Sequence, residues 1–413
     1  MPDSADGSSN TAKWELLIDV YKQILTIDPD NIEAKEHIAN ALMQAGTSEK
    51  AKEQYKHIAR ELQEKGDIVR STEFLQKVTN LEPADLSSRF SLASNLISKG
   101  KYDEAIMEYK GIAIAAKNNN DLDSAEQAYS RVVELNPFEI NAHKGLADVY
   151  YKQGEVEKSV AKYKALGMIC YGGGLYEPAL GSYQLVHNLD PNNKDVLQMM
   201  SDIHMKMGNK QESAETLAEL AGMYVKEAHF QKACDVYRRV IEIDNSSVDI
   251  LAEALDVAIK VDAEPDIIRY GKTLASRYEQ EGSMDRAIEV YEKLHKRFPE
   301  ELQVLGNFAG LLEKQGNVAR ACRYYRKLSR YYLQNDLIPQ SKDTILKAEK
   351  LIPDDTRIQL VLALLAAKSG NIDEARDRFA RILEIDPLDV LALKGFGDIL
   401  VREGKPDKAL DQY

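Results

Sequence analysis

Residues 125–163 read AEQAYSRVVELNPFEINAHKGLADVYYKQGEVEKSVAKY, and this stretch decides the fold. Between Pro137 and Gly154, apolar residues recur at spacings of three and four, which predicts an amphipathic helix of about 13 residues. Gly154 suits the left-handed backbone conformation that ends many helices. Further helices are predicted on both sides, so the stretch joins parts of three helices through two short turns.

The same landmarks recur along the whole chain. Prolines stand 54 residues apart or at twice that distance, with Asn245 in the one vacant position: Pro29, Pro83, Pro137, Pro191, Pro299 and Pro353. Seventeen residues after successive landmarks come Gly46, Gly100, Gly154, Gly208, Asp262, Gly316, Gly370 and Gly404. Such a fixed period predicts a repeat protein, in which each helical unit buries its apolar face against its neighbours.

These residues resemble the tetratricopeptide repeat family. The family's helix–turn–helix pattern is carried here by Leu146-Ala147-x-x-Tyr150, Gly154, Ser159-x-x-x-Tyr163, Ala125-x-x-x-Tyr129 and Pro137. The resemblance covers residues 13–413 and implies an all-α, right-handed superhelical solenoid of helical hairpins. Residues 1–12 are polar and are predicted to form a disordered tail.

One departure concerns the period, because the family's unit has 34 residues and this chain repeats every 54. Two units that share one long helix would give that period. Periods then start near residues 29, 83, 137, 191, 245 and 299, followed by a 34-residue unit at 353–386 and a partial unit at 387–413. This arrangement predicts 23 helices, and because the last unit stops within a helix, we expect the protein to continue.

Composition excludes several classes of function. The net charge is −13 and the pI about 5.2, which disfavours binding to a nucleic-acid backbone. No run of 18 apolar residues is present, so membrane insertion is not expected. The three cysteines form no CxxC pair, and the polar N-terminus does not resemble a signal peptide. The chain is therefore predicted to be cytoplasmic.

Catalytic and metal-binding motifs are also missing from the sequence. Gly271-Lys272-Thr273 resembles the end of a phosphate-binding loop, but the glycine required five residues earlier is replaced by Asp266. The seven histidines include no HExxH pattern. We predict that the chain is not an enzyme and uses no cofactor or metal.

Basic residues occur against the overall acidic charge. Residues 314–335 contain six basic residues and no acid. By the family's geometry, Arg323, Arg326 and Arg330 are expected on the inner, concave face of the solenoid. The position of Arg326 is also basic in four other periods, and we call this set the basic ladder: Lys56, Lys110, Lys164, Lys272 and Arg326. It is suited to carboxylates of an acidic partner. The alternative is a solvated helix face, in which Glu53 partners Lys56.

Further inner-face candidates are Phe90, Tyr151 and Lys152, because aromatic side chains often anchor protein partners. Packing inside the repeat is the alternative for each of them. The run of residues with which some family members clamp a partner's C-terminal carboxylate is not found.

The sequence thus predicts a non-catalytic scaffold or adaptor that holds protein or peptide partners with acidic segments in its groove. By analogy with long bacterial repeat scaffolds of regulatory and motility complexes, one partner could be a small GTPase. Two alternatives remain open, namely the regulatory or targeting half of an enzyme whose catalytic part follows residue 413, and self-assembly through helix ends. The divergent fifth period predicts a hinge near residues 258–272.

Overall fold

The computed structural model describes the backbone of residues 6–410 and the side chains of residues 12–410. That part of the chain contains helices and turns and no strand, so the predicted all-α class is confirmed. The chain divides into two compact units, Met1–Asn209 and Lys210–Tyr413.

Consecutive helices pack against each other within each unit, joined by short turns. The first unit contains α1 (Asp6–Ile27), α2 (Ile32–Gln44), α3 (Ser48–Glu64), α4 (Ile68–Leu81), α5 (Leu86–Ser98), α6 (Tyr102–Asn118), α7 (Leu122–Leu135), α8 (Ile140–Gln153), α9 (Val156–Gly172), α10 (Tyr176–Leu189) and α11 (Lys194–Met207). The second contains α12 (Lys210–Lys226), α13 (Phe230–Ile243), α14 (Val248–Lys260), α15 (Glu264–Gln280), α16 (Met284–Arg297), α17 (Leu302–Lys314), α18 (Val318–Gln334), α19 (Ile338–Leu351), α20 (Thr356–Lys368), α21 (Ile372–Ile385), α22 (Val390–Arg402) and α23 (Pro406–Leu410).

The described residues therefore hold the 23 helices that the period predicts. Each full period has one helix of 17 residues in its middle, namely α3, α6, α9, α12, α15 and α18. Except for α12, whose preceding helix belongs to the other unit, each of these helices packs on the helix before it and on the helix after it, as expected if two hairpins share it.

Turns follow one rule throughout the described residues. Every described residue with a positive φ stands either seventeen residues after a landmark, with Pro387 as the last landmark, or two residues after the end of a 17-residue helix. Ten of them are glycines, and the others are Asn120, Ala228, Asp262 and Asp336, with φ between 57° and 60°. The left-handed conformation ends one helix and starts the next within two or three residues. The predicted role of these positions is confirmed.

The core consists of large side chains packed over small ones. Tyrosines of the repeat are buried, for example Tyr109 and Tyr183, at 4% and 1% exposure. Small residues on the shared helices bring the backbones together, as at Ala59, whose carbonyl oxygen accepts a hydrogen bond of 2.8 Å from Ser71 Oγ. Gly145 lies directly against the ring of Tyr129. This packing continues from period to period without a single central core.

Two sequence predictions concern the N-terminal residues and the fifth period. Helix α1 already includes residues 6–12, which were predicted to be a disordered tail, because extending a formed helix adds one hydrogen bond per residue. Residues 1–5 lie outside the described residues. The fifth period keeps its three helices, since Asp262 adopts the turn conformation of glycine at φ 59° and Pro265 occupies the first turn of α15. A hinge there stays a prediction.

Candidate functional site

All five residues of the basic ladder have a partner inside the protein. Each cation extends from a 17-residue helix to the start of the first helix of the next period. The pairs are Lys56 Nζ with Asp85 Oδ2 at 2.7 Å, Lys110 Nζ with Glu139 Oε1 at 3.1 Å, Lys164 Nζ with Asp195 Oδ2 at 4.0 Å, Arg326 Nη1 with Asp355 Oδ1 at 3.8 Å, and Lys272 Nζ with Gln303 Oε1. The ladder therefore links helices that are two apart in the chain, which favours an internal role. Its role in partner binding stays a prediction.

The Lys56 pair shows the electrostatics of one such link. Asp85 caps α5 by accepting a hydrogen bond from the backbone N–H of Ser88, and its carboxylate also faces Lys56. Burial alone would raise the pKa of Asp85, but hydrogen bonds from Lys56 and from Ser87 and Ser88 hold it well below its usual range. Lys56 also lies 3.4 Å from Glu53, the partner considered from the sequence.

Lys272 borders a polar cavity of about 590 Å³ between α15 and α17. Other cations on its wall are engaged within the unit, since Lys314 pairs with Glu279 and Arg277 donates a hydrogen bond of 2.7 Å to Asn245. Gly306 and Gly310 on α17 have no side chain, so the cavity occupies space that larger residues at these positions would fill. The wall therefore has four cations and one acid, Glu279, and that acid pairs with Lys314.

Arg323, Arg326 and Arg330 meet at a second cavity of about 380 Å³, which we call the arginine cavity. Its wall consists of Glu300, Leu305, Arg323, Arg326, Lys327, Arg330, Tyr331 and Gln334. Four of these eight side chains are basic and one is acidic. Arg323 and Arg330 are exposed and have neither an ion-pair partner nor a hydrogen-bond acceptor among residues 12–410.

Arg326 is the enclosed member of the group, with 20% of its side chain exposed. Burial lowers the pKa of Arg326 below its usual value. The Asp355 carboxylate raises the pKa of Arg326, whereas the guanidinium groups of Arg357, Arg330 and Arg323 lower it. The cavity therefore carries positive charge that the protein itself does not compensate.

The predicted aromatic anchors separate into two kinds. Phe90 is half-buried and packs on the core, with its ring centre 6.0 Å from that of Tyr109. Packing thus accounts for Phe90. Tyr151 is 57% exposed and Lys152 is also exposed, at the end of α8.

Sequence reasoning missed a set of exposed apolar side chains in the first unit. Met107, Ile114 and Met168 are large apolar side chains, yet they are 73%, 55% and 65% exposed on α6 and α9. We define the α6–α8–α9 surface by these three residues together with Lys144, Tyr151, Lys152 and Lys164. The sequence contains a signal for this exposure. The positions of α3 and α18 that align with Ile114 of α6 carry charged residues, Arg60 and Arg330.

Asp148 on α8 holds the two sides of this surface together. Its carboxylate accepts a hydrogen bond of 2.8 Å from Lys117 on α6 and one of 2.5 Å from Tyr163 on α9. Lys110 adds the ion pair with Glu139 at the start of α8. Helix α8 is thereby linked to both α6 and α9.

Cysteines, groups of metal ligands and apolar helices are other features that would bear on function among residues 12–410. The thiols of Cys170, Cys234 and Cys322 are buried and unpaired, and burial raises the pKa of each. Among side chains 12–410, no three His, Cys, Asp or Glu residues are grouped as metal ligands would be. None of the described helices combines the length and the apolar character needed to cross a bilayer.

Comparison with known proteins identifies the repeat. A sequence pattern described as tetratricopeptide repeat matches residues 110–169, 272–331 and 347–413, and a second pattern of that description matches residues 216–247. Together these segments cover just over half of the chain.

The chain is similar to longer proteins. TPR repeat-containing protein MJ1428 of Methanocaldococcus jannaschii is 22% identical in an alignment of 374 residues that covers 84% of this chain and 60% of that protein. Protein O-mannosyl-transferase TMTC1 of Homo sapiens is 20% identical in an alignment of 248 residues that covers 56% of this chain and 24% of that protein. The crystal structure of the P58(IPK) TPR domain is 13% identical and covers 88% of this chain and 91% of its own, with a TM-score of 0.22.

Proposed function

This chain belongs to the tetratricopeptide repeat family, and on that basis we propose that it is a non-catalytic scaffold whose α6–α8–α9 surface binds an acidic, amphipathic segment of a protein partner. Repeats of this family typically mediate protein–protein interactions and are usually not catalytic. The apolar and basic side chains of this surface indicate what kind of segment the partner would present.

The observation that carries the proposal is the exposure of Met107, Ile114 and Met168 in the middle of ordered helices. Complete burial of one such side chain contributes about 1.5–3 kcal/mol, so covering three of them favours association. Methionine adapts its shape to different partners, and tyrosine is frequent among the residues that dominate binding energy. Tyr151 provides that aromatic group at the edge of the surface.

Charge defines the partner further. Lys144 and Lys152 on α8 are exposed and have no ion-pair partner among the described residues. Lys164 is only loosely paired, with Asp195 at 4.0 Å. Apolar groups bordered by free ammonium groups complement a helix with an apolar stripe flanked by Glu or Asp. The proposed partner segment is therefore acidic, in agreement with the expectation from the basic ladder.

The links through Asp148 and Glu139 give a second argument for the proposal. Because they hold α6, α8 and α9 in one arrangement, the surface is formed before a partner arrives. Preformed surfaces lose less conformational entropy on binding. The ladder thus contributes through the positions of helices, while Lys144 and Lys152 contact the partner.

Fluorescence anisotropy with two defined helical peptides tests the proposal. Both peptides carry the same leucine stripe, flanked by Glu in one and by Lys in the other. We expect the Glu peptide to bind more tightly, and Ile114→Ser/Met168→Ser to weaken its binding. We also expect Lys144→Glu/Lys152→Glu to reverse the preference.

Val69→Ser is the matched apolar control, because Val69 is 55% exposed like Ile114 but lies on α4. Lys99→Glu is the charge control. Equal binding of both peptides, or equal effects of control and surface variants, would refute the proposed partner chemistry. Circular dichroism of every variant excludes loss of helix as the cause.

A second candidate is the regulatory or targeting part of an enzyme. One observation favours it, namely that the chain spans only 24% of a relative named as an O-mannosyl-transferase. Sequencing the complete gene tests this candidate, which requires a catalytic domain in the same open reading frame. A small GTPase as partner, a cytoplasmic location and self-assembly through helix ends stay predictions from the sequence.

A further inference from the structure

We propose that the arginine cavity of the second unit is a phosphate-binding site that receives a phosphorylated serine or threonine side chain of a protein partner. The site is separate from the α6–α8–α9 surface and goes beyond the function proposed for that surface.

The first argument is the set of unused donors. Arg326 is four-fifths buried, and its nearest acid, Asp355, is 3.8 Å away, which is beyond hydrogen-bonding distance. No described residue accepts a hydrogen bond from its guanidinium group. Arg323 and Arg330 lie one turn before and one turn after it on α18, and neither has an ion-pair or hydrogen-bond partner among the described residues. Guanidinium groups bind oxyanions through paired N–H donors, so three of them around one cavity form a site for a multiply charged anion.

The second argument is a comparison of the repeats. In four other periods the position of Arg326 holds a lysine, and in the fourth it holds Ala218. Two of these lysines pair closely with an acid, Lys56 with Asp85 at 2.7 Å and Lys110 with Glu139 at 3.1 Å. The positions three before and four after the lysine are Glu53 and Arg60 in the first period, and Met107 and Ile114 in the second. Among the six full periods, only the sixth has arginine at all three positions. Packing of the repeat therefore does not require this triad.

Charge distinguishes phosphate from carboxylate as the ligand. The wall has four basic side chains and one acid, Glu300, and nearby Arg357 and Asp355 add one charge of each sign. A phosphorylated side chain carries about −1.5 to −2 charges and three acceptor oxygens, whereas a carboxylate carries one charge and two oxygens. The phosphate group compensates more of this charge and engages more of these donors. Tyr331 and Gln334 offer neutral groups for the peptide beside it.

Binding of an oriented peptide library tests the proposal, because the flanking sequence of the partner is unknown. The library is prepared with a central phosphoserine or phosphothreonine, with Glu, and with Ser. We expect enrichment of phosphopeptides, with affinity about tenfold or more above that of the Glu peptides. Inorganic phosphate should compete with the selected phosphopeptide, and higher salt should weaken its binding.

Variants then locate the site. Arg323→Gln/Arg330→Gln removes two exposed donors with no partner in the fold, so the helices should remain intact. We expect at least about tenfold weaker binding of the selected phosphopeptide. Arg381→Gln is the control, since Arg381 is an exposed arginine of α21 outside the cavity.

Several results would overturn the proposal. Equal binding of Glu and phosphopeptides would make the cavity a carboxylate site. Binding of inorganic phosphate without any phosphopeptide would make it a site for the free anion, and absence of binding in every library would remove it as a ligand site. Phosphopeptide binding that Arg323→Gln/Arg330→Gln leaves unchanged would place the site elsewhere. All these outcomes leave the test of the α6–α8–α9 surface unaffected.

Discussion

Gly145→Ala is the substitution from which the packing of this repeat can be tested most directly. Gly145 lies in the middle of α8, where alanine is normally the better helix former by about 1 kcal/mol. A methyl group at this position would stand 2.6 Å from Cε1 and Cε2 of Tyr129 and closer still to Cζ. Tyr129 is 7% exposed and packed on all sides, so its ring has little room to withdraw.

The expected magnitude follows from two opposing contributions. Adding a methylene group to a well-packed core costs about 1–3 kcal/mol. The gain in helix propensity offsets about 1 kcal/mol of this. We therefore expect a net loss of about 0–2 kcal/mol in the free energy of unfolding, concentrated at the α7–α8 contact.

Gly181→Ala is the matched control in the same unit. Gly181 lies inside α10, and a methyl group there would have no neighbour within 4 Å. This variant should gain about 0.5–1 kcal/mol. Urea denaturation followed by circular dichroism gives the global values, and hydrogen exchange of α7 and α8 gives the local one. If Gly145→Ala were as stable as Gly181→Ala, the close packing of Tyr129 on α8 would be wrong.

Three further predictions concern turns, charge and thiols. Ala228 has φ 57° and Gly282 has φ 77° at the same position of the repeat, so Ala228→Gly should raise and Gly282→Ala should lower stability in urea by about 0.5–1 kcal/mol. Equal signs would contradict the role of the left-handed turn. Because the folded pKa of Asp85 is lowered, its ion pair with Lys56 stabilises fully above a pH of about 4 and is lost as the pH falls further. Asp85→Asn should therefore remove part of the acid sensitivity in denaturation curves, and an unchanged pH profile would exclude the link. Cys170 should resist a thiol reagent until the protein is denatured, and fast labelling of the native protein would contradict its burial.

The helices could be predicted from the sequence because their signals are local and repeated. A proline, a glycine seventeen residues later and a tyrosine at a fixed spacing define the ends and the buried face of each helix. Eight occurrences of one frame outweigh the weak signal of any single period, and Asp262 could be placed in a turn although it is not a glycine.

Side-chain contacts between different helices could not be predicted in the same way. Lys56 and Asp85 are 29 residues apart, and their contact depends on how α3 and α5 pack, whereas sequence reasoning considered acids one turn away. A signal existed, since Asp85, Glu139 and Asp355 each stand two residues after a proline landmark. The contact of Gly145 with Tyr129 was missed because glycine in a helix has no apolar side chain to mark the buried face.

Exposed apolar residues were missed for a related reason. Met107 and Ile114 fit the spacing of a helix that is buried on several sides, so periodicity alone assigns them to the core. The structure places them outside, because α6 has neighbours on only part of its circumference. The roles of the predicted binding residues, from the basic ladder to Lys152, stay predictions.

The shared helix has a consequence for how such a protein can change in length. A deletion of 34 residues would leave one 17-residue helix without its second hairpin partner and expose the face that α6, for example, presents to α7. A deletion of 54 residues removes three helices and rejoins equivalent positions, so the helices at the junction keep neighbours of the same kind. Gene duplication and loss among the six 54-residue periods are therefore expected to proceed in steps of three helices, and variants shortened within these periods should be cut on the same rule.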